Sequence, residues 1–489
     1  MVESAVSRTD LAYKYAVEDP EIEIDEEFER KLVRKIDCYI MPIMSILMSI
    51  QLMDKSTNSY ASIMGLQTDL NMSSSEYSWV ASSFYLGFLI FEFPANMALQ
   101  RFPLSKTLAA AILAWGVVIC CHGACHSAAS FLACRTLLGI FESFMTPAYI
   151  LLTSQWYKKS EQYVRCGVWL GFEGFGTMLG SGIAYGLYKH GGSNAIASWR
   201  LLYIITGVIT IFFAVVSYLH IPDVPVKAWF LNEKEKVYVV ERIRINNQGF
   251  GNHYFKMYQF KEALMDPNTY LFLFYMIGYG IPNGGIGNFG SILLKDNFGF
   301  STGNALLMNM VGSGIDIVFP LLFAFIQQKF VPSRLAMCLF INSCMFTGLC
   351  LLAFSSPKGA QMVGYYLSYF STASYATMAS CISTNVAGYT KKITLNSVFL
   401  IGFCAGNMIG PQTFLGSESE DNYPTAKKVM VSTFTLCLIA PSLMLTIISL
   451  RNKKKAKKIA ELGDSYQKIP NSEFADLTDM ENLEFKYSY

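Results

Sequence analysis

Arg135 and Glu142 lie seven residues apart in an otherwise apolar stretch, FLACRTLLGIFE. Seven residues make about two helical turns, so both side chains share one face. A cation and a carboxylate on one buried face can bind an anion and carry a proton. The alternative is a structural pair that neutralises itself. Ionisable groups are costly inside a bilayer, and where they persist they usually serve function. The same chain places Asp54 and Lys55 near the end of one apolar run, Glu92 in the next, Glu173 alone in GVWLGFEGFGTMLGSG, and Asp316 between Gly314 and Pro320. Glu173 is either a proton-carrying carboxylate or a neutral, hydrogen-bonded helix contact. Asp316 is either a gating group or a satisfied buried acid. No metal chemistry competes with these readings. The five histidines are scattered without zinc-type spacing, and the twelve cysteines lie mostly inside apolar runs as small filler.

The elements that must hold these groups are membrane helices. Apolar residues make up 52% of the 489-residue chain and charged residues 15%, against roughly 25% in soluble domains; mean hydropathy is +0.33. Twelve stretches reach spanning length: 38–58, 77–99, 105–125, 130–151, 164–187, 200–220, 269–292, 304–326, 335–355, 361–384, 395–415 and 429–450. Each can bridge a hydrocarbon core of about 30 Å as a helix. The expected organisation is an acidic tail over 1–37, six helices over 38–220, a polar segment over 221–268, six helices over 269–450 and a tail over 451–489. The first 37 residues show no cleavable signal. A net charge of +2 gives no sign of a nucleic-acid partner.

The chain also repeats itself. QRFPLSK at 100–106 is answered by QKFVPSR at 328–334, and Lys158-Lys159 by Lys391-Lys392. Two halves of six spans in one orientation are the mark of a secondary transporter built from parallel repeats. Basic residues set the orientation. Arg101, Lys106, Lys158, Lys159, Arg165, Lys329, Arg334, Lys391 and Lys392 fall on one side, with seven more in 221–268. Lys189, Arg200, Lys295, Lys358, Lys427 and Lys428 fall on the other. Both termini are therefore expected in the cytosol. The sequon at Asn71 falls on the expected outside, as a glycosylation candidate. After the last span, RNKKKAKK would lie against anionic lipid or act as a stop signal, and the rest of the tail reads as disordered.

Charge is concentrated in a subset of spans, while spans 6, 9 and 12 hold none in their apolar cores and can face lipid. Span 7 carries YGIPNGGIGNFG at 279–290. Its proline and glycines permit a local break, and Asn283 and Asn288 are candidate substrate hydrogen-bond partners. Span 10 is hydroxyl-rich from Ser368 to Thr384, which suits a wet wall or interhelical hydrogen bonding equally.

Several stretches together resemble the major facilitator superfamily, and within it the fungal allantoate permease branch of anion:cation symporters. They are RTLLGIFESFMTP (135–147), SWRLLYIITG (198–207), IPDVPVKAWFLNEKEK (221–236), QFKEALMDP (259–267), NGGIGNFGS (283–291), NVAGYTKK (385–392) and GNMIGPQTF (406–414). The resemblance runs from about residue 36 to about 450. It implies an all-α integral membrane fold: twelve transmembrane helices in two pseudo-symmetric bundles, with helices 1, 4, 7 and 10 lining a central cavity. It also implies proton-coupled uptake of a small organic anion such as allantoate, ureidosuccinate, nicotinate or another vitamin or carboxylate nutrient. On that reading Lys55, Arg135, Asn283, Asn288 and Asn385 bind substrate. Glu142, Glu173 and Asp54 serve proton coupling, and Arg101, Asp316 and Arg334 serve gating. No cofactor beyond the proton is called for. The chain would act as a monomer in the plasma membrane, with the endoplasmic reticulum or vacuole as alternatives. An exporter or a solute sensor of the same fold is the rival function; a membrane enzyme would need a catalytic constellation that the sequence lacks.

One departure stands out. The family's usual Asp-Arg in span 1 is Asp54-Lys55 here, so the charge is kept but the bidentate fork for a carboxylate is lost. The QRFPLSK and QKFVPSR loops also depart from the superfamily's Gly-rich, Asp-bearing pattern, so Arg101 and Arg334 serve either gating or topology alone. Span 5 lacks the Gly-Pro pairing of drug antiporters, which favours symport over export.

Overall fold

A chain that buries its backbone in hydrocarbon must satisfy every N–H and C=O internally, and helices do this within one segment. A computed structural model describes residues 26–191, 196–244, 256–331, 333–462 and 477–489. Its described residues form helices in this order: α1 Glu26–Ile63, α2 Ser74–Arg101, α3 Leu104–Gly123, α4 Ala128–Glu142, α5 Met145–Trp156, α6 Lys159–Gly171, α7 Glu173–Lys189 and α8 Ser198–His220. The central segment supplies α9 Glu233–Arg244 and α10 Met257–Met265. The second half follows with α11 Pro267–Ile292, α12 Thr302–Phe330, α13 Arg334–Phe354, α14 Lys358–Leu367, α15 Ser371–Asn385, α16 Tyr389–Gln412, α17 Pro424–Phe434 and α18 Leu436–Leu462. Where loops meet helices, side chains take up the loose N–H groups: Ser73 and Glu76 form a capping box at α2, Ser127 and Ser130 at α4, and Asp266 caps α11 ahead of Pro267.

Four pairs of these helices (α4–α5, α6–α7, α14–α15, α17–α18) are single spans interrupted by a short break, so the rods number twelve. The same packing recurs in each half. Span 1 packs on span 5 and span 7 on 11, span 2 on 4 and 8 on 10, and span 3 on 6 and 9 on 12. Between halves, span 5 meets 8, span 2 meets 11, and span 1 meets 7. The crossings depend on missing side chains. A Cβ at Gly176 would fall 1.8 Å from the Ser49 carbonyl oxygen, and one at Gly139 2.0 Å from that of Phe84.

Eight helices among the described residues are long and apolar enough to cross a membrane on length and composition alone. The other four rods are 74–101, 159–189, 267–292 and 358–385. All four contribute walls to the central cavity, and each carries polar, glycine or proline residues within its span. The local break that span 7's proline and glycines permit is not taken: α11 runs through Pro282 without interruption. Its glycines are spent on packing instead, since a Cβ at Gly280 or Gly284 would meet the backbone of α16 within 3 Å.

Both ends of the chain depart from expectation. Helix α1 begins at Glu26, well inside the stretch read as an acidic tail. At the other end, α18 continues to Leu462 and residues 477–489 fold back onto the second half, with Thr478, Asp479 and Tyr487 buried. That segment is ordered because its polar groups find partners, contrary to its composition. Residues 463–476, also read as disordered, and 1–25 lie outside the described residues.

Candidate functional site: a central cavity between the two halves

Between the halves lies a cavity of about 1,220 Å³. It extends to Val164 of α6, to Gln328 and Arg334 at the α12–α13 link, and to Ser488, so it opens at the end that carries the central segment and residue 488. The opposite end is shut by hydrogen bonds between halves. Asn58 Nδ2 donates to Asn288 Oδ1 (3.2 Å), Tyr77 Oη to the Asn288 carbonyl (2.9 Å), and Ser59 Oγ to Ser291 Oγ (2.9 Å). Ser82 Oγ donates to the Met408 carbonyl (2.8 Å) and accepts from Gln412 Nε2 (2.9 Å).

Lys55 lines this cavity from α1, away from Arg334 at its open end. Its ammonium lies 3.6 Å from Glu142 Oε2 and 5.4 Å from the Phe84 ring centroid. Gln51, one turn earlier on α1, donates Nε2 to the same carboxylate oxygen at 3.1 Å. Glu142 itself is fully buried and ends α4 where the span breaks at Ser143–Phe144. It does not line the cavity but is reached through Lys55 and Gln51, which do. Glu142 Oε1 takes no hydrogen bond from the described residues.

Glu173 and Asp316 face the cavity from opposite halves. Glu173 opens α7 beside the break at Phe172, whose carbonyl accepts from Ser49 Oγ (2.8 Å). Gly174 and Ile317, their chain neighbours, touch at the crossing of spans 5 and 8. Aromatic rings complete the middle: Tyr85 of α2, Tyr279 of α11, Tyr375 of α15 and Phe403 of α16 cluster with centroids 5.8–6.3 Å apart. Asn283 lines the wall and donates to Asn407 Oδ1 (2.9 Å).

The remaining sequence candidates sit elsewhere. Arg135 is buried in the first half, off the cavity surface, and its Nε takes no hydrogen-bond partner among the described residues. Asp54 points away into that half, where Thr210 donates to its Oδ2 (3.2 Å). Asn288 belongs to the closed end. Asn385 Oδ1 accepts the Ser488 N–H (2.7 Å). Arg334 reaches the cavity, donating Nη1 to the Ser380 carbonyl (3.4 Å), whereas Arg101 is exposed. Asn71 is exposed near the closed end, in a left-handed turn (φ 47°). Sequence reasoning missed Gln51, the closed-end serines and the aromatic cluster. Gln51 was discoverable, since it stands four residues before Lys55 and shares its helical face.

Residues 44–411 match the family description Major Facilitator Superfamily. The chain belongs to this superfamily. Over 98% of its length it is 44% identical to an uncharacterised transporter of Schizosaccharomyces pombe, covering 93% of that protein. It is 42% identical to the allantoate permease of Saccharomyces cerevisiae, with 98% of this chain and 90% of that one covered. Among solved structures, a bacterial homologue of the human lysosomal transporter Spinster, inward-facing and unoccupied, shares the fold. That match has a TM-score of 0.63 at 14% identity, over 83% of this chain and 95% of the other. The two-bundle architecture is therefore that of a multi-pass membrane transporter and not of an enzyme. The repeats seen in the sequence are its two halves.

Proposed function

We propose that this facilitator-superfamily chain imports a small organic anion together with protons, at the plasma membrane and with both termini cytosolic. The observation that carries the proposal is the Lys55–Glu142 contact, with Gln51 on the same carboxylate and Lys55 at the cavity surface. While Glu142 is ionised it competes for the lysine. Protonation from an acidic exterior frees the Lys55 ammonium for a substrate carboxylate. Substrate binding in turn favours the protonated state, because linkage between two ligands is reciprocal. Arg135 supplies fixed positive potential behind the pair. The loaded protein rocks to face inward, as parallel-repeat transporters do, and the proton leaves into the neutral cytosol.

The likeness to an allantoate permease supports a ureido acid as substrate. The wall suits one: a cation for the carboxylate, acids Glu173 and Asp316 for amide N–H donors, and aromatic rings for planar groups. The test is uptake into cells lacking their own permeases. A labelled panel of allantoate, ureidosuccinate, nicotinate and a dipeptide is offered at acidic and neutral outside pH, with and without a protonophore. Accumulation of one compound that collapses with the gradient supports the proposal. Gradient-independent equilibration, or no uptake by protein present at the surface, refutes it and turns attention to export or sensing.

A further inference from the structure

Residues 477–489 are tied to the second half by a polar cluster that the transport cycle above does not use. Lys391, the repeat mate of Lys158, is fully buried. It is surrounded by Asp479 Oδ1 (2.7 Å), Glu262 Oε1 (2.8 Å) and Asp266 Oδ2 (3.3 Å). Arg451 holds Asp266 from the other side through two nitrogens (2.7 and 3.1 Å). Lys455 donates to the carbonyls of Asp479, Asn482 (2.8 Å) and Phe485 (3.0 Å), so its ammonium organises the turn of the segment. Asn452 exchanges two hydrogen bonds with the Tyr487 backbone (both 3.0 Å), and Tyr487 Oη donates to Asp479 Oδ2 (2.7 Å). A surface ion pair alone is worth little, but Lys391, Asp266, Asp479 and Tyr487 are buried and hydrogen-bonded with half-buried Arg451 and Lys455, which fixes a single docked geometry.

Where the segment leads matters more than how it is held. Ser488 N–H donates to Asn385 at the foot of span 10. The Tyr489 carbonyl accepts the Arg334 N–H (2.6 Å) at the head of span 9. Ser488 and Arg334 both line the cavity where it opens. Beyond its internal bonds, these contacts tie the segment to the second half and to α10. The segment therefore rides on one bundle and places its last residues in the gap that must close when the two bundles rock together.

We propose that residues 477–489 are a strap that holds the open end open and must withdraw before that end can shut. Docked, the strap biases the protein toward the state seen here; released, it lets the opposite end open more often. The device depends on alternating access and is independent of the substrate.

Hydrogen exchange of the full chain in lipid nanodiscs tests it without a substrate. The comparison is with a chain lacking residues 477–489 and with Lys455→Ala, which keeps the full length and touches neither the cavity nor the closed end. Coupling between two sites commonly amounts to 5-fold or more. Removal of the strap is therefore expected to raise exchange about 5-fold in the closed-end segments 56–64 and 286–292, and to lower it around 145–156 at the open end. Lys455→Ala should move both in the same directions by less. Changes confined to the docking surface, near 383–391 and 448–455, would overturn the proposal, as would no change in either variant. If the shortened chain fails to fold, Lys455→Ala alone decides by the same two signs.

Discussion

Between α1, α4 and α8 the first half buries Asp54, Arg135 and Glu142, with Lys55 beside them at the cavity wall. In the second half the space between α11, α13, α15 and α18 holds Tyr275, Asn342, Ser374 and Cys437. The second set is neutral and closed on itself. Tyr275 Oη and Ser374 Oγ are 2.6 Å apart, Ser374 donates to Asn342 Oδ1 (2.6 Å), and Asn342 Nδ2 donates to the Cys437 carbonyl (2.9 Å). The first set is charged and incompletely partnered: Asp54 Oδ1, Glu142 Oε1 and Arg135 Nε take no hydrogen bond from the described residues. A satisfied neutral network rigidifies a bundle. Buried charges with spare hydrogen-bonding capacity can exchange partners when a proton or an anion arrives. The comparison teaches that one packing plan, repeated twice, has been divided into a chemical half and a frame.

Lys55→Ala should break the chemical half most severely. It removes the ammonium that meets Glu142 and leaves that buried acid without its ion partner, a loss worth about 3–5 kcal/mol when a buried pair is broken. Initial uptake at matched surface abundance should fall by about 100-fold or more. Uptake within about threefold of the parent would remove Lys55 from the site. A milder change is expected from Ser374→Ala in the frame. It leaves Asn342 Oδ1 without its donor and takes one partner from Tyr275, costing about 1–3 kcal/mol of stability, read as a lower melting temperature in detergent. The pH dependence of uptake per folded molecule should stay as it was; a shifted profile would erase the distinction between halves.

Ser59→Ala probes the seam where the halves meet. Losing the bond to Ser291 should cost about 0.5–1.5 kcal/mol and raise hydrogen exchange at 286–292 severalfold, leaving the Lys55 chemistry intact. The smallest effect concerns pH outside the membrane. Burial raises the carboxyl of Asp266, but the hydrogen bond and charge of Arg451, with Lys391, outweigh it and hold the group below its usual value. The stabilisation is therefore present above the unfolded aspartate value, about 3.9, and is lost as pH falls through the lowered one. Protease resistance of residues 477–489 should be flat from neutral pH to about 5 and weaken only below about 4; weakening near neutral pH would contradict this.

Much of this was legible in the residues. Apolar runs give the twelve rods, and the paired QRFPLSK/QKFVPSR and Lys158/Lys391 elements give the two halves, because both signals are local and periodic. Lys158 and Lys391 indeed do parallel work: Lys158 meets Glu29 of α1 (2.5 Å), and Lys391 meets Glu262 of α10. The site was read less completely. The spacing of Arg135 and Glu142 puts both on one face, but pairing across helices is not written in spacing, and Glu142 takes Lys55 from another span. Span 7 misled because proline and glycine mark both breaks and close crossings, and only the neighbouring α16 decides which. The terminal segment misled because its composition resembles that of a solvated tail, while its order comes from Lys391, Arg451 and Lys455, residues distant in sequence or read as topology signals.

The measurement that bears most directly on the central claim is Glu142→Gln, assayed for substrate exchange and for uphill accumulation in the same vesicles. Glutamine mimics the protonated acid and leaves Lys55 free for the anion. The account predicts that exchange persists at every outside pH while accumulation driven by the proton gradient is lost. Steep gradient-driven accumulation by Glu142→Gln would contradict it and move the proton to another carboxylate.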